Sequence, residues 1–193
     1  MSVVLITGCS SGFGLLTAAR LSVRNHVVFA TMRDLSAKGG LLKEVEKRGG
    51  NIRLLSLDVT DDDSIAGVHR QIVTEEGKLH VLVNNAGYGI GGFFEDLSEG
   101  EIREQMETNF FGVQKVCRAF LPLMRKTASI PGEPPVQIIN ISSPQGRSPY
   151  PGLGAYAASK WALEGFSESL YFELKPFGIS VVVLEPGAHR TPG

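Results

Sequence analysis

The chain has 193 residues, of which 42% are hydrophobic and 20% charged, and its formal net charge at pH 7 is −1. This composition is typical of a globular chain, and the length suits a single domain over residues 1–193 with a full core. The near-neutral balance, without runs of like charges, argues against binding to nucleic acid or to an anionic membrane surface.

Other broad classes are excluded by what the sequence lacks. Two cysteines, Cys9 and Cys117, do not make a disulfide framework and are expected to be buried thiols, and the four histidines lack ligand spacing. The N-terminal "MSVVLITG" has no basic region and is too short for a signal peptide, and no stretch is long and apolar enough to span a bilayer. We therefore expect a cytoplasmic protein without a metal site.

Six short apolar segments alternate with helix-length segments along the chain. They are Val3–Gly8, His26–Met32, Ile52–Val59, Leu79–Gly87, Val136–Ser143 and Ile179–Gly187. Near-continuous apolar strands are typical of parallel sheets that are buried on both faces. The alternation predicts an α/β fold, a doubly wound parallel sheet of six strands with right-handed crossovers.

Helix signals and one loop complete this organisation. Ser98 and Glu101 have the spacing of a capping box, and Thr60 followed by three aspartates suits a helix N-terminus. The Pro- and Gly-containing segment Lys126–Gln137 suggests a linker, but a strand follows it at once. We therefore interpret it as a surface loop within the domain.

A glycine-rich turn, "TGCSSGFG", follows the first strand with Gly8, Gly12 and Gly14. Its G-x-x-x-G-x-G spacing differs from the usual G-x-G-x-x-G dinucleotide fingerprint, so a simple tight turn explains the motif alone about as well. Its place at the first strand–helix junction favours pyrophosphate binding at a helix N-terminus.

The end of the second strand bears on the choice of nucleotide. An acidic residue there would bond the ribose of NAD, whereas an arginine suits the 2′-phosphate of NADP. The chain has Arg33 and then Asp34, which is expected to start a turn or helix. NADP(H) is favoured, and NAD(H) stays open.

A tyrosine and a lysine, Tyr156 and Lys160, are four residues apart and so share a helical face. Such a pair is common on helix surfaces, and alone it is a weak signal. A nearby ammonium favours the phenolate form of a tyrosine, which suits general acid–base catalysis.

Taken together and in order, these motifs resemble the short-chain dehydrogenase/reductase family, with its Rossmann-like fold, over essentially the whole chain. "TGCSSGFG" resembles its cofactor turn, "LDVT" its adenine loop, "NNAG" the end of its fourth strand, and "NISS" with "YAASK" its catalytic set. The resemblance implies the catalytic residues Asn109, Ser143, Tyr156 and Lys160. It implies cofactor binding by Gly8, Ser10, Ser11, Gly12, Phe13, Gly14, Arg33, Asp58, Val59, Asn85, Ala86, Gly87, Tyr156, Lys160, Pro186, Gly187 and Thr191.

The family resemblance also implies the role of each catalytic residue. Tyr156 would exchange a proton with the substrate oxygen, and Ser143, thirteen positions earlier, would bond the same oxygen while Ser142 faces the other way. Lys160 would bind the nicotinamide ribose, and Asn109 would hold a water of the proton relay. Asn109 could instead bond a neighbouring backbone, and Asp58 could simply cap the following turn.

Within the family, the sequence is similar to the NADP-preferring branch of 17β-hydroxysteroid and retinol dehydrogenases, in which Ser11 and Arg33 would share the phosphate. The loops "YGIGGFFEDL" and "PQGRSPYPGLG" are compatible with an apolar alcohol or carbonyl substrate. The helix over Trp161–Leu174 has an apolar stripe that either packs on the sheet or also pairs with a second copy, as in the family's homodimers and homotetramers.

The family normally continues, beyond the point where this sequence stops, with a substrate-covering lid and a seventh strand. The ending at Gly193 favours a fragment of a longer protein. An NADP(H)-dependent oxidoreductase of secondary alcohols and ketones is the first hypothesis, and a nucleotide-binding sensor or scaffold without turnover is the second. A sugar-nucleotide epimerase ranks below both, because it needs a larger C-terminal domain and a differently spaced glycine turn.

Overall fold

A computed structural model of the chain describes residues 1–188. In this part of the chain, six parallel strands form one sheet in the order β3-β2-β1-β4-β5-β6. The strands are β1 (Ser2–Ile6), β2 (His26–Met32), β3 (Arg53–Ser56), β4 (Val81–Asn84), β5 (Val136–Ile141) and β6 (Ile179–Leu184). The doubly wound α/β sheet predicted from the sequence is confirmed.

Every predicted strand except β2 ends two or three residues later in the prediction than in the structure. The sequence places Gly8, for example, in the first strand, but its φ of 70° lies in the left-handed region that ends a strand. The residues by which the predictions overrun lie in the loops at the carboxyl edge of the sheet. The overextended predictions therefore mark the loops that make the site.

Within residues 1–188, six α-helices cover the two faces of the sheet. They are α1 (Gly12–Leu21), α2 (Gly39–Lys47), α3 (Asp62–Glu75), α4 (Glu99–Met106), α5 (Gly112–Ala128) and α6 (Gly154–Leu174). One core cluster contains Phe29, Leu82 and Phe120, and the other contains Ile6 and Met32. Because the strand order reverses between β1 and β4, their carboxyl ends leave the crevice in which such sheets bind ligands.

The helix starts follow the predicted signals with one shift. Ser98 and Glu101 form the complete capping box of α4. At α3 the N-cap is Asp61 rather than Thr60, because the Asp61 carboxylate accepts hydrogen bonds from the backbone of Asp63 and Ser64.

Within residues 1–188 no helix is long and apolar enough to cross a membrane. Over the same residues no group of three histidine, cysteine or acidic side chains is placed to hold a metal ion. Cys9 and Cys117 are buried free thiols, as predicted, and desolvation raises the pKa of each to about 12.

Candidate active site

The glycine turn between β1 and α1 depends on the absence of side chains. Gly8 and Gly12 have φ values of 70° and 61°. A Cβ on Gly14 would lie 2.3 Å from the Gly8 carbonyl oxygen and 2.4 Å from Nδ2 of Asn85. The first turn of α1 therefore lies directly against the end of β1, which only glycine permits.

The residues after β4 hold this turn in place. Asn85 donates from Nδ2 to the carbonyl oxygens of Thr7 and Gly8, each at 2.9 Å. Thr7 Oγ1 accepts from the backbone N–H groups of Asn85 and Ala86, each at 3.0 Å. Asn85 and Ala86, assigned to the cofactor by resemblance, thus also brace the loop, a role that sequence reasoning missed.

The N-terminus of α1 suits an anionic group. Ser11 is the N-cap, its hydroxyl makes no capping bond to the helix, and it is exposed beside the exposed Ser10. No acidic residue lies in the first turn, so nothing there opposes the positive end of the helix dipole. Phe13 is half-buried in the same turn. These residues fit a nucleotide pyrophosphate.

Arg33 follows β2 at the same edge of the sheet and is exposed. Asp34 is the N-cap of a short 3₁₀ turn, where its two carboxylate oxygens accept from Ser36 N at 2.8 Å and Ser36 Oγ at 2.6 Å. The expectation that Asp34 starts a turn is confirmed. Its carboxylate serves local structure, whereas the Arg33 guanidinium lies at the open edge.

Asp58 lies close enough to Arg33 for their charges to interact. Its Oδ1 accepts from Thr60 N at 2.9 Å and from Thr60 Oγ1 at 2.7 Å, so it does cap the following turn. Partial burial alone would raise the pKa of Asp58, but the Thr60 hydrogen bonds and the Arg33 and Lys115 charges outweigh it and lower the pKa. The side chain of Val59 is buried beside Gly112.

Asn109 and Lys160 meet at Gly87, at the carboxyl end of β4. A Cβ on Gly87 would lie 3.0 Å from Asn109 Oδ1 and 3.7 Å from Lys160 Nζ. Asn109 is buried, and Lys160, only 6% exposed, donates from Nζ to the Ile141 carbonyl oxygen at 2.8 Å. The Tyr156 ring is adjacent, because its centroid lies 5.7 Å from Lys160 Nζ and a Cβ on Gly89 would lie 3.4 Å from Tyr156 Cδ2.

The two serines after β5 have different surroundings. Ser143 Oγ accepts from Gln145 N at 3.2 Å at the start of a short 3₁₀ turn. Ser142 Oγ is directed instead towards Gly146, where a Cβ would lie 2.9 Å from it. The alternation of successive side chains therefore separates Ser143 from Ser142, as the extended backbone requires.

Asn109 lies in a π-helical turn, Glu107–Phe111, that joins α4 to α5. Its Oδ1 accepts from Tyr88 N at 3.0 Å, and its Nδ2 donates to Tyr88 O at 2.8 Å and to Ser159 Oγ at 3.0 Å. One turn earlier, buried Gln105 accepts from Ile90 N at 2.6 Å. Sequence reasoning missed both the π-helical turn, a feature often found at functional sites, and the role of Gln105.

Lys160 has an unusual electrostatic environment. Burial lowers its pKa to about 8, and the charge of Glu164 partly offsets that effect. Glu164 is itself 4% exposed and is bonded to Arg147 at 3.2 Å. The buried Glu164 was not singled out from the sequence, where it lies within the helix segment Trp161–Leu174.

The last predicted site residues follow β6. Pro186 is half-buried and Gly187 is exposed in the segment directly after that strand. Thr191 lies outside the described residues.

Comparisons with known proteins agree with this geometry. The short chain dehydrogenase family model matches residues 2–193. The chain is 44% identical to a 3-ketodihydrosphingosine reductase of Bacteroides thetaiotaomicron (98% of this chain, 64% of that protein). It is 40% identical to retinol dehydrogenase 8 of Bos taurus (95% and 58%), so it spans about six tenths of the length of these relatives.

Similar solved structures belong to the same family, and some of them contain a nicotinamide cofactor. A metagenomic short-chain oxidoreductase in complex with NADP is 32% identical, with a TM-score of 0.86 over 98% of this chain and 83% of that one. Another similar short-chain dehydrogenase/reductase, from Burkholderia phymatum, was solved in complex with NAD. Similar structures thus bind either nicotinamide nucleotide.

Proposed function

Because this chain belongs to the short-chain dehydrogenase family, we propose that it forms the catalytic part of an NADP(H)-dependent oxidoreductase. The reaction is hydride transfer between the nicotinamide and a secondary alcohol, ketone or similar carbonyl. The observation that carries the proposal is the convergence of Lys160 and Asn109 on Gly87, beside the Tyr156 ring. A bound nicotinamide supplies or accepts the hydride, and the chain supplies binding, orientation and proton transfer.

Tyr156 is the general acid and base of this proposal. Its hydroxyl gives a proton to the substrate oxygen in the direction of reduction and removes it in the direction of oxidation. The Lys160 ammonium favours the phenolate that remains after proton donation, and its low exposure strengthens this effect because water screens it less. Ser143 bonds the same oxygen, and Asn109 fixes the loop at Tyr88 that borders the site.

The preference for NADP(H) is supported by the two residues after β2. Both oxygens of the Asp34 carboxylate accept hydrogen bonds from Ser36, which orients this side chain within its local turn. Arg33 is exposed, and its planar guanidinium matches a 2′-phosphate. The exposed Ser11 hydroxyl at the start of α1 offers a second donor for that phosphate.

An apolar substrate is supported by two loops beside the tyrosine. Gly92 N donates to Gly152 O at 2.9 Å, so the loop after β4 and the loop before α6 are joined. The exposed aromatic residues of these loops are Tyr88, Phe93, Phe94 and Tyr150. Phe94 is 85% exposed, and an aromatic side chain in that position gains by covering an apolar ligand.

The cofactor is tested by fluorescence titration with NADPH and, separately, with NADH. We expect tighter binding of NADPH and loss of that preference in Arg33→Ala. Arg24→Ala is the matched control, because Arg24 is an exposed arginine just before β2, at the opposite end of the same strand. Equal affinity for both nucleotides in the wild type, or an unchanged preference in Arg33→Ala, would refute the assignment.

Catalysis is tested by turnover of a panel of ketones and secondary alcohols. We expect Tyr156→Phe to lose at least about a hundredfold in kcat while still binding NADPH. Tyr171→Phe is the control, because Tyr171 lies on the same helix away from the site. NADPH binding without turnover of any compound would favour a sensor or scaffold instead.

We also propose a homodimer or homotetramer in which α6 contributes to the interface. The expected packing of this helix on the sheet is present, since Leu163 and Leu170 lie in the core. Its outer side nevertheless exposes Trp161 by 51% and Phe172 by 71%. Light scattering coupled to size exclusion should give a multiple of the monomer mass, and Phe172→Glu should reduce it.

A further inference from the structure

Arg147 joins three parts of the chain next to the proposed catalytic lysine. Its guanidinium contacts Glu164 Oε2 at 3.2 Å, Glu168 Oε1 at 3.5 Å and Glu185 Oε1 at 3.2 Å. Two of these acids are on α6, and the third follows β6. Glu164 and Glu168 differ sharply in burial, because the side chain of Glu164 is 5% exposed and that of Glu168 is 62% exposed.

Glu164 is one helical turn after Lys160, on the same buried face of α6. Its second oxygen, Oε1, is fully buried and has no hydrogen-bond partner among the described residues, and the same holds for Ser142 Oγ. Both atoms face Gly146, since a Cβ there would lie 2.9 Å from Ser142 Oγ and 3.1 Å from Glu164 Oε1. A buried carboxylate is costly unless it is paired with an opposite charge and hydrogen-bonded, and Glu164 Oε2 has the Arg147 guanidinium as such a partner.

Among residues 1–188, the contacts shown for the Lys160 ammonium are with neutral groups. It bonds the Ile141 carbonyl at the end of β5, lies over the Tyr156 ring, and approaches Asn109 across Gly87. Within the described residues, Glu164 is the acid whose charge acts on Lys160. Arg147 faces Glu164 from the segment after β5, Glu185 faces Arg147 from the end of β6, and Glu168 does so from α6.

We propose that Glu164 is a positioning residue whose negative charge keeps Lys160 in its charged form, while Arg147 holds the Glu164 carboxylate in place. The inference rests on the proposed function, in which the Lys160 ammonium supports proton transfer by Tyr156. Glu164 touches neither substrate nor cofactor in this scheme. It acts on the reaction only through the charge of Lys160.

The test is Glu164→Gln, which keeps the shape and removes the charge, compared with Glu168→Gln. The pH dependence of kcat is measured from pH 6 to pH 9.5. In wild type we expect kcat to fall at alkaline pH, and in Glu164→Gln we expect this fall to occur about one pH unit lower. The variant should then lose about fivefold in kcat at pH 8 and little at pH 6. Glu168→Gln should keep the wild-type profile. An equal loss at every pH, or an unmoved alkaline fall, would overturn the inference.

A second variant covers the case in which Glu164→Gln does not fold, because removing one member of a buried ion pair is strongly destabilising. Arg147→Gln with Glu164→Gln removes both members and should show the same shift of the alkaline fall. Arg147→Gln alone, which retains the Glu164 carboxylate, should shift it less. If Arg147→Gln alone and the double variant give equal pH profiles of kcat, the proposed role of Glu164 is refuted.

A readout without cofactor separates this inference from the proposed function. The folded protein gains stability with rising pH once Lys160 loses its proton, and a lower folded-state pKa makes this gain begin at a lower pH. The Tm of Glu164→Gln should therefore rise more between pH 6.5 and pH 9.5 than the Tm of wild type. If this occurs in a protein that neither binds NADPH nor turns over a ketone, the proposed function fails and the charge coupling stands. If turnover is present but neither pH dependence changes, the coupling alone fails.

Discussion

The buried ammonium of Lys160 should destabilise the fold below about pH 8, and replacing it should reveal the cost. Lys160 is 6% exposed, and burial lowers its pKa from 10.5 to about 8. Methionine has a similar length and no charge. We therefore expect Lys160→Met to abolish turnover and to reduce the dependence of stability on alkaline pH.

The magnitude follows from proton linkage. A folded-state pKa that lies below the unfolded value disfavours folding while the group is charged. That cost is fully present below pH 8 and disappears as the pH rises towards 10.5. With these two values, the wild type should gain about 2 kcal/mol from this group between pH 7 and pH 9.5. The lost hydrogen bond to the Ile141 carbonyl adds a term that hardly changes with pH.

Urea unfolding at pH 7 and pH 9.5, without cofactor, measures the effect. The stability of Lys160→Met relative to wild type should be about 2 kcal/mol higher at pH 7 than at pH 9.5. Lys43→Met, at an exposed lysine of α2, should show no such change with pH. A difference that is the same at both pH values would refute the claim that Lys160 carries a buried charge.

Four further outcomes are expected. Turnover should fall as the pH rises through about 8, where Lys160 loses its proton, as a pH–rate profile would show. Gly14→Ala should abolish detectable NADPH binding in fluorescence titration, because its Cβ would lie 2.3 Å from the Gly8 carbonyl oxygen. Gly67→Ala, in the interior of α3, would place its Cβ 4.0 Å from the end of the Arg70 side chain and should instead raise Tm slightly, through about 0.5–1 kcal/mol. Ser98→Ala should cost about 1 kcal/mol in urea unfolding through loss of the α4 capping box; retention of full stability would contradict the box.

The sheet was predictable because each strand has a local sequence signal. β-branched runs such as "HVVFATM" are long, apolar and bounded by polar residues, and β2 begins and ends at the predicted positions. Other strand ends were extended too far because the residues that follow the strand, such as 85–87 after β4, leave the ladder without a break in the sequence that marks the end. At β1, the residue types do not show that the strand ends before Gly8, where φ is 70°.

The proposed catalytic residues were identified by motif and spacing, and Tyr156 with Lys160 lie on one helix as predicted. The supporting contacts were not predictable, because they join residues that are distant in sequence. Gln105 bonds Ile90, and Arg147 pairs with Glu164, which is 17 residues away. From the sequence alone, a glutamate on a helix is expected at the surface, and the burial of Glu164 is explained only by its pairing with Arg147.

The π-helical turn was also beyond the sequence pattern. The segment from α4 to α5 reads as one continuous amphipathic helix, and a single wide turn changes no residue type. Its presence follows from where Asn109 must lie to satisfy both backbone groups of Tyr88, which is a requirement of the tertiary structure.

The loop after β4 is held by hydrogen bonds at its base and is exposed at its tip. Two amides from one helical segment, Gln105 and Asn109, hold Ile90 and Tyr88, while Phe93 and Phe94 are 65% and 85% exposed. Mutations at the tip therefore need not disturb the residues beneath it. If the proposed function holds, such a loop would allow substrate range to change in evolution or in the laboratory while the proposed acid–base residues are kept.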